Sequence, residues 1–289
     1  MPILPHADLL SKDKLEEVRD CPNCKGSNSE VLFTEKGYPT AECKNCKFIF
    51  LKLRLKEEHL GLIYDNQSYH SVSNSNYNRL IGEKRLRLLP KMNKSARLHE
   101  DGAGSGAFLF AALSQNYNAS GNDYGQDSID KAKQQFNVII KKGSLADSHL
   151  DDSELDVLVS FNLLCHLYNP WEYFDEVQRV LKKGGYLLLR TGNRQGFFKK
   201  FHQGKWGAPE HIYHYNLKTI NDLLKPRGFK IQWVKPAFDS DFPYLFFNYS
   251  QNPNAYFRKA AGHICSLSIR LWNVLGLPKD DVFILAKRE

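Results

Sequence analysis

The sequence predicts an α/β protein built on a doubly wound, mostly parallel sheet, with a small cysteine module ahead of it and an aromatic-rich insertion near its end. Three observations carry this prediction. A glycine-rich turn, Glu100-Asp101-Gly102-Ala103-Gly104-Ser105-Gly106, follows a short strand-like run and opens the apolar stretch Ala107-Phe108-Leu109-Phe110-Ala111-Ala112-Leu113. Strand, glycine turn and helix in that order form the first unit of a nucleotide-binding α/β fold, since glycine lets the backbone approach a ligand where a Cβ would collide. Past the turn, apolar runs of strand length alternate with helix-length segments as far as residue 234, the pattern of a parallel sheet covered by helices. Ahead of it, Cys21-Pro22-Asn23-Cys24 and Cys43-Lys44-Asn45-Cys46 are 18 residues apart, Lys25 through Glu42. That spacing can bring four thiolates to the corners of a tetrahedron.

A length of 289 residues suits one large domain with an appendage, or two domains. With 42% hydrophobic and 25% charged residues the chain is an ordinary globular protein rather than a disordered one. No apolar run reaches the length of a bilayer span and the first residues lack a signal-peptide pattern, so a cytoplasmic location is expected. The net charge of +8 permits anionic partners such as nucleic acid. Its lysines and arginines are scattered, however, which reads as a solvated surface.

In chain order, residues 12–20 suggest a short helix in a polar lead-in. Val31-Leu32-Phe33, the stretch after Tyr38-Pro39, and Phe48-Ile49-Phe50-Leu51 read as short strands around the cysteine pairs. Residues 1–60 therefore read as a zinc ribbon held by Cys21, Cys24, Cys43 and Cys46. A cytoplasmic chain disfavours disulfides, and four cysteine ligands leave no open position, so the zinc would be structural. Cys165 and Cys265 stand singly and read as buried bystanders. Residues 61–94 link the module to the main domain. Within residues 52–77 the connector is polar, with Tyr64, Tyr69, His70 and Tyr77, and is either a loop or a cover over the active site; a helix follows over 77–92.

The main domain, residues 95–289, carries strands at 97–101, 119–122, 138–141, 155–161, 186–190, 229–234 and 281–286. Helices are expected at 106–115, 127–136, 170–182 and 217–225, with Gly184-Gly185 as a helix stop. Asp123 ends the second strand, where an acid can accept hydrogen bonds from both hydroxyls of a ribose lying across the sheet edge. Residues 237–280 form the aromatic-rich insertion or lid, with a helix over 254–275.

The order Glu100, Gly102-x-Gly104-x-Gly106, Asp123, Gly143-Ser144-Leu145-Ala146-Asp147, Asp156, Leu164-Cys165-His166-Leu167 and Leu181-Lys182-Lys183-Gly184-Gly185 resembles a class I S-adenosylmethionine-dependent methyltransferase, with its Rossmann-like sheet. The resemblance covers roughly residues 80–235. The cysteine module and Trp206-Gly207-Ala208-Pro209-Glu210-His211-Ile212-Tyr213-His214-Tyr215 are similar to bacterial methyltransferases of sugar and secondary-metabolite pathways, although the long C-terminal domain of the sugar C-methyltransferases is missing. The resemblance implies S-adenosylmethionine as cofactor and S-adenosylhomocysteine as product. It implies that Gly102, Gly104 and Gly106 admit the methionine portion, that its ammonium meets Glu100 or a nearby carbonyl, that Asp123 holds the ribose and that Tyr124 packs on the adenine. Ser144 stands where the family usually has an acid facing the adenine amine; the Leu145 amide or Asp147 can serve instead, and Phe161 belongs to the same implied pocket.

A sulfonium methyl is already activated, so the protein must align an acceptor with it, exclude water and, for a hydroxyl or carbon acid, remove a proton. Histidine suits that last task near neutrality. His211 with Glu210 is the leading pair, His166 the second candidate, and His214 lies three residues on. Three functions fit: a methyltransferase for a small molecule or glycan-type acceptor at oxygen, nitrogen or carbon; an RNA methyltransferase, for which the positive charge speaks; and a non-catalytic binding module. Gly102-x-Gly104-x-x-Ala107 with Asp123 also fits the dinucleotide fingerprint of an NAD-dependent oxidoreductase.

Overall fold

The computed structural model describes residues 6–64, 75–195, 206–237 and 281–289. Five short strands come first: β1 (Leu15–Glu17), β2 (Ser29–Glu35), β3 (Tyr38–Cys43), β4 (Ile49–Leu51) and β5 (Leu53–Leu55). β2, β3 and β4 form an antiparallel meander, and β1 pairs antiparallel with β5. The helix expected over 12–20 is not formed. Lys12–Lys14 makes one 3-10 turn and the chain then pairs with Leu53–Leu55. Leu15 and Val18 are the only apolar side chains there and both pack on the core, so long-range pairing outweighs a weak local helix propensity. Among the described residues of the connector, α1 (Gly61–Tyr64) follows β5, and α2 spans Ser75–Leu86. Tyr69 and His70 lie outside the described residues.

The main sheet is built from β6 (Arg97–Asp101), β7 (Asn118–Asp123), β8 (Lys141–Lys142), β9 (Leu155–Phe161) and β10 (Leu181–Gly192). Later in the chain come β11 (Tyr213–His214), β12 (Phe229–Pro236) and β13 (Asp281–Arg288). The spatial order is β12-β13-β10-β9-β6-β7-β8. Strands β6 to β10 run parallel, and β13 inserts antiparallel between β10 and β12. The chain reverses its strand order at β6/β9, which places a crevice outside the carboxyl ends of those strands. Both faces are covered: α3 (Ala107–Ser114), α4 (Gln126–Phe136), α5 (Pro170–Val180) and α6 (Leu217–Leu224) follow strands in turn. α5 starts where Asn169 caps the Glu172 N–H and Pro170 takes the first helical position, and it buries Tyr173, Phe174, Val177 and Val180 on one face. A reciprocal Asn216–Thr219 capping box starts α6.

Two main-domain boundaries differ from expectation. The strand expected at 138–141 pairs only from Lys141 onward; Val138 and Ile140 are buried, whereas Ile139 is 85% exposed, so these residues pack by alternation without a ladder. The helix expected to reach residue 182 stops at Val180, and Gly184-Gly185 lies in an irregularity within β10 instead of ending the helix. Leu181 already pairs with Leu155 there. Cys265 and the helix expected at 254–275 lie outside the described residues.

The cysteine module is not a bead on a string. β11 pairs antiparallel with β4, making the order β11-β4-β3-β2. A single apolar cluster joins Tyr38, Phe48, Phe50 and Leu51 of the module to Phe174, Leu181, Tyr213 and Tyr215 of the main domain. The boundary expected at residue 60 is thus crossed by a strand from more than 150 residues downstream.

Candidate active site

The glycine turn sits at the crevice. Gly102, Gly104 and Gly106 all have positive φ, at 72°, 52° and 70°, which disfavours any side chain. Their surroundings differ. A Cβ on Gly104 would meet nothing within 4 Å, whereas one on Gly106 would lie 2.6 Å from Val138 Cγ2 and one on Gly102 3.3 Å from Leu163. Gly104 therefore faces open space, and Gly106 permits helix packing. Asp123 locks the turn: Oδ2 accepts the Gly104 N–H at 2.7 Å and Oδ1 the Gly125 N–H at 2.8 Å. Tyr124 beside it is exposed.

Beneath the turn runs a buried polar chain. His99 bonds Ser120 at 2.8 Å and donates to Asn122 Oδ1 at 2.7 Å, while Asn122 donates to Asp101 at 2.6 Å and to the Gly143 carbonyl at 2.8 Å. Burial holds the His99 pKa below its ordinary value, so this ring is a neutral strut. Burial pushes the Asp101 carboxyl up to about 7 and that of Glu100 up to about 8. Glu100 Oε2 is buried with no hydrogen-bond partner among the described residues, while the Arg85 charge and the Leu109 backbone N–H oppose the effect of burial on the carboxyl. In the loop after β8, Asp147 accepts both the N–H and the hydroxyl of Ser144, at 2.8 and 2.7 Å. The Leu145 side chain is buried in the core. So is the Phe161 ring, packed on Phe108 and Phe283 with the Arg85 guanidinium 4.4 Å above it.

Next to the crevice, at the carboxyl ends of β9 and β10, lies a cavity of about 350 Å³ lined by Asn162, Cys165, Arg190, Arg194, Trp206 and His211, among others. Here the predicted histidines converge. The His166 and His211 rings are 4.9 Å apart at 74°, and Cys165 joins them with sulfur and ring nitrogens within 4.8 Å of one another. Carbonyl oxygens only accept, so the 2.9 Å contact of His211 Nδ1 with the Trp206 carbonyl puts the proton on Nδ1 and the lone pair on Nε2. His166 Nδ1 likewise donates to the Glu210 carbonyl at 3.1 Å, and the Tyr64 hydroxyl lies 2.9 Å from the same nitrogen. His214 is disposed differently: Arg194 donates to its Nδ1 at 2.7 Å, which occupies the lone pair of that nitrogen. Burial pushes the Cys165 thiol up to about 12, so it stays protonated near neutrality.

The four N-terminal cysteines converge as two matching knuckles. Cys21 and Cys43 each receive backbone N–H groups from the residues two and three positions on. Lys25 and Lys47 close the two turns with left-handed backbones. Sulfurs pair at 3.5 Å, Cys21 with Cys46 and Cys24 with Cys43, and all four lie within 4.8 Å. A tetrahedral zinc thiolate needs edges of about 3.8 Å, so this donor set fits zinc.

A family model described as a methyltransferase domain matches residues 73–233, more than half of the chain. The chain belongs to that methyltransferase family. Its relatives include a protein of Mycolicibacterium smegmatis named as a probable S-adenosylmethionine-dependent methyltransferase, 31% identical over 134 residues, 45% of this chain and 50% of that one. A similarly named protein of Mycobacterium tuberculosis is 31% identical over 131 residues, 44% and 46% of the two chains. This methyltransferase chain thus spans about half the length of the curated relatives it matches. Phosphoethanolamine N-methyltransferase 2 of Haemonchus contortus, solved with S-adenosylmethionine, superposes with a TM-score of 0.57 at 17% identity, covering 83% of this chain and 63% of that one. Geranyl diphosphate C-methyltransferase of Streptomyces coelicolor gives 0.55 at 14% identity, with 81% and 86% covered. The likeness to these structures is one of fold.

The sequence alone did not single out Arg194 or the buried Arg190–Asp281 pair, at 3.3 Å, as parts of the cavity. Arg190 and Asp281 lie on neighbouring strands that are adjacent in space but 91 residues apart, so no local pattern signals them.

Proposed function

We propose that this methyltransferase transfers a methyl group from S-adenosylmethionine to a small-molecule or glycan-type acceptor, at oxygen, nitrogen or carbon. The observation that carries the reading is the juxtaposition of an open glycine turn, flanked by a buried carboxylate whose Oε2 has no hydrogen-bond partner among the described residues, with a cavity lined by His211, whose ring meets that of His166. A cavity of about 350 Å³ is of small-ligand size. Bound S-adenosylmethionine supplies an activated methyl on a sulfonium. Glu100 would receive its ammonium, Gly104 would leave room for the methionine backbone, and Asp123 would accept from the ribose hydroxyls through its remaining lone pairs. Tyr124 would cover the adenine, with Ser144 and the Leu145 amide at its edge. His211 Nε2 takes the acceptor's proton, His166 supports it, and Glu210 binds the acceptor. Cys21, Cys24, Cys43 and Cys46 would hold a structural zinc. The test is incubation of the purified protein with methyl-labelled S-adenosylmethionine and a cell metabolite extract. Label in a small molecule supports the reading. Label only in RNA, with affinity falling steeply with salt, favours the RNA alternative that the net charge of +8 allows.

Asp123→Ala should weaken S-adenosylhomocysteine binding by about 1.5–3 kcal/mol, because two hydroxyls lose a charged acceptor and the Gly104 turn loses its anchor. Gly104→Val should do more, since its side chain would fill the open space and oppose a φ of 52°. Calorimetry giving wild-type affinity for both would place the cofactor elsewhere.

Glu100 gives a pH signature. Its carboxyl is raised from 4.5 to about 8 in the free protein. An ammonium favours the carboxylate, so binding below that pH expels a proton, and affinity for S-adenosylhomocysteine should rise as pH goes from 6 to about 8. Stability of the free protein should run the other way. A raised carboxyl stabilises the fold fully below its unfolded value and loses that contribution as pH climbs through about 8. A flat affinity profile, or no proton release in calorimetry with buffers of different ionisation heat, would remove Glu100 from the ammonium site.

A further inference from the structure

The side chain of Glu35, at the end of β2 in the cysteine module, reaches across to the segment that carries His211. Its Oε2 accepts three consecutive backbone N–H groups, from Trp206 at 2.8 Å, Gly207 at 3.1 Å and Ala208 at 3.2 Å. Three successive amides converging on one anionic oxygen form a nest, and charge-assisted bonds of this kind are among the stronger hydrogen bonds in proteins. Neighbouring contacts reinforce it. Phe33, two residues earlier on the same strand, meets the Trp206 ring edge-on at 4.7 Å, and Lys36 Nζ donates to the Ala208 carbonyl at 3.4 Å.

The clamped turn is the one that orients His211. The Trp206 carbonyl takes the His211 Nδ1 proton at 2.9 Å, and the Gly207 carbonyl takes the His211 backbone N–H at 2.9 Å. A Cβ on Gly207 would fall 2.6 Å from His211 Nδ1, so the ring rests directly on the turn. Moving the turn moves the ring. We propose that Glu35 is a positioning residue of the active site: by holding the Trp206–Ala208 amides it fixes the carbonyl that sets the tautomer and aim of His211. This rests on the reading of His211 as the base. It also gives the cysteine module a task, as a template for part of the site.

The test needs no acceptor. Protein labelled with 15N in its histidine rings, zinc-loaded and saturated with S-adenosylhomocysteine, is compared as wild type, Glu35→Gln and Glu35→Ala, with the His211 signals assigned by their loss in His211→Gln. In wild type His211 should be locked as the Nδ1–H tautomer. Glu35→Gln keeps a single acceptor oxygen and should preserve the tautomer. Glu35→Ala should release the ring into a mixture of tautomers and speed amide exchange of Trp206, Gly207 and Ala208 by about tenfold or more, with cofactor affinity and zinc content unchanged. A ring still locked in Glu35→Ala, with amide exchange unaltered, overturns the proposal. If Glu35→Ala does not fold, Glu35→Asp, which draws the oxygen back by one methylene, is read in the same way. If His211→Ala leaves methyl transfer intact, the base assignment falls while these spectra still report on the clamp. If the ring stays locked without Glu35, the clamp falls while the base assignment stands.

Discussion

Replacing Cys24 and Cys46 together by serine should cost the protein its zinc and disorganise the cavity around His211 while leaving the cofactor crevice able to bind. The knuckles fix both ends of the β2-β3 hairpin, with Cys43 ending β3 and Ser29 opposite it. β4 depends on β3, and β11 on β4. Tyr213 and His214 form β11, and the Leu51 N–H bonds the Ile212 carbonyl at 3.0 Å, so the segment from Trp206 to Tyr215 is pinned through the module. A module of this size has little core of its own, and a structural zinc is worth about 10–16 kcal/mol in comparable peptides. The Gly104 turn and Asp123 belong to β6 and β7, on the other side of the crevice. Elemental analysis should find one zinc per wild-type chain and none in the double variant. Trp206, stacked under the Arg194 guanidinium at 4.2 Å, should report the loosening by fluorescence. S-adenosylhomocysteine should still bind within about threefold of wild type, since no crevice contact is lost. Metal-free wild-type protein purified without chelators would end the zinc assignment. Cys165→Ser should leave the metal content unchanged.

What the sequence could and could not disclose follows from the range of the interactions. The strand at Leu155–Phe161 was legible because a strand buried on both faces is an unbroken apolar run bounded by charge. The glycine turn was legible because positive φ at Gly102, Gly104 and Gly106 selects one residue type. The cysteine spacing showed itself for a similar reason, since thiolate geometry is local to each knuckle. By contrast, β1 reads as a helix in the local sequence because its partner, Leu53–Leu55, is 38 residues away at Glu16–Arg54. The roles of the three glycines were also hidden. Val138 and Ala132 make Gly106 a packing residue, and only coordinates bring them there. The histidines could be named as candidates but not related to each other. Their meeting depends on β11 crossing to the cysteine module and on the 3-10 turn Leu164–His166 after β9. The same crossing gives Glu35 its reach over 171 residues.

His211→Ala should lower turnover by about 10²–10⁴-fold, the usual contribution of a positioned general base. Cofactor affinity should stay near wild type, because the ring lies in the acceptor cavity and not at the glycine turn. The geometry argues for this histidine over its neighbours. Its Nδ1 proton is committed to the Trp206 carbonyl, which leaves Nε2 with a lone pair, whereas the Nδ1 lone pair of His214 already accepts from the Arg194 guanidinium. Protonation of the base should shut the reaction down at low pH, so the acid limb of the pH–rate profile should vanish in His211→Ala if chemistry limits the rate. His166→Ala should cost less, since His166 contacts Tyr64 and the Glu210 carbonyl and acts through the ring 4.9 Å away. The expectation covers acceptors that carry a proton to be removed. A neutral amine attacks without a base, and both substitutions would then be mild while Asp123→Ala remained damaging. Measured on an acceptor shown to be a hydroxyl or carbon acid, near-normal turnover in His166→Ala/His211→Ala would eliminate base catalysis by this pair and leave alignment in the cavity as the source of the rate.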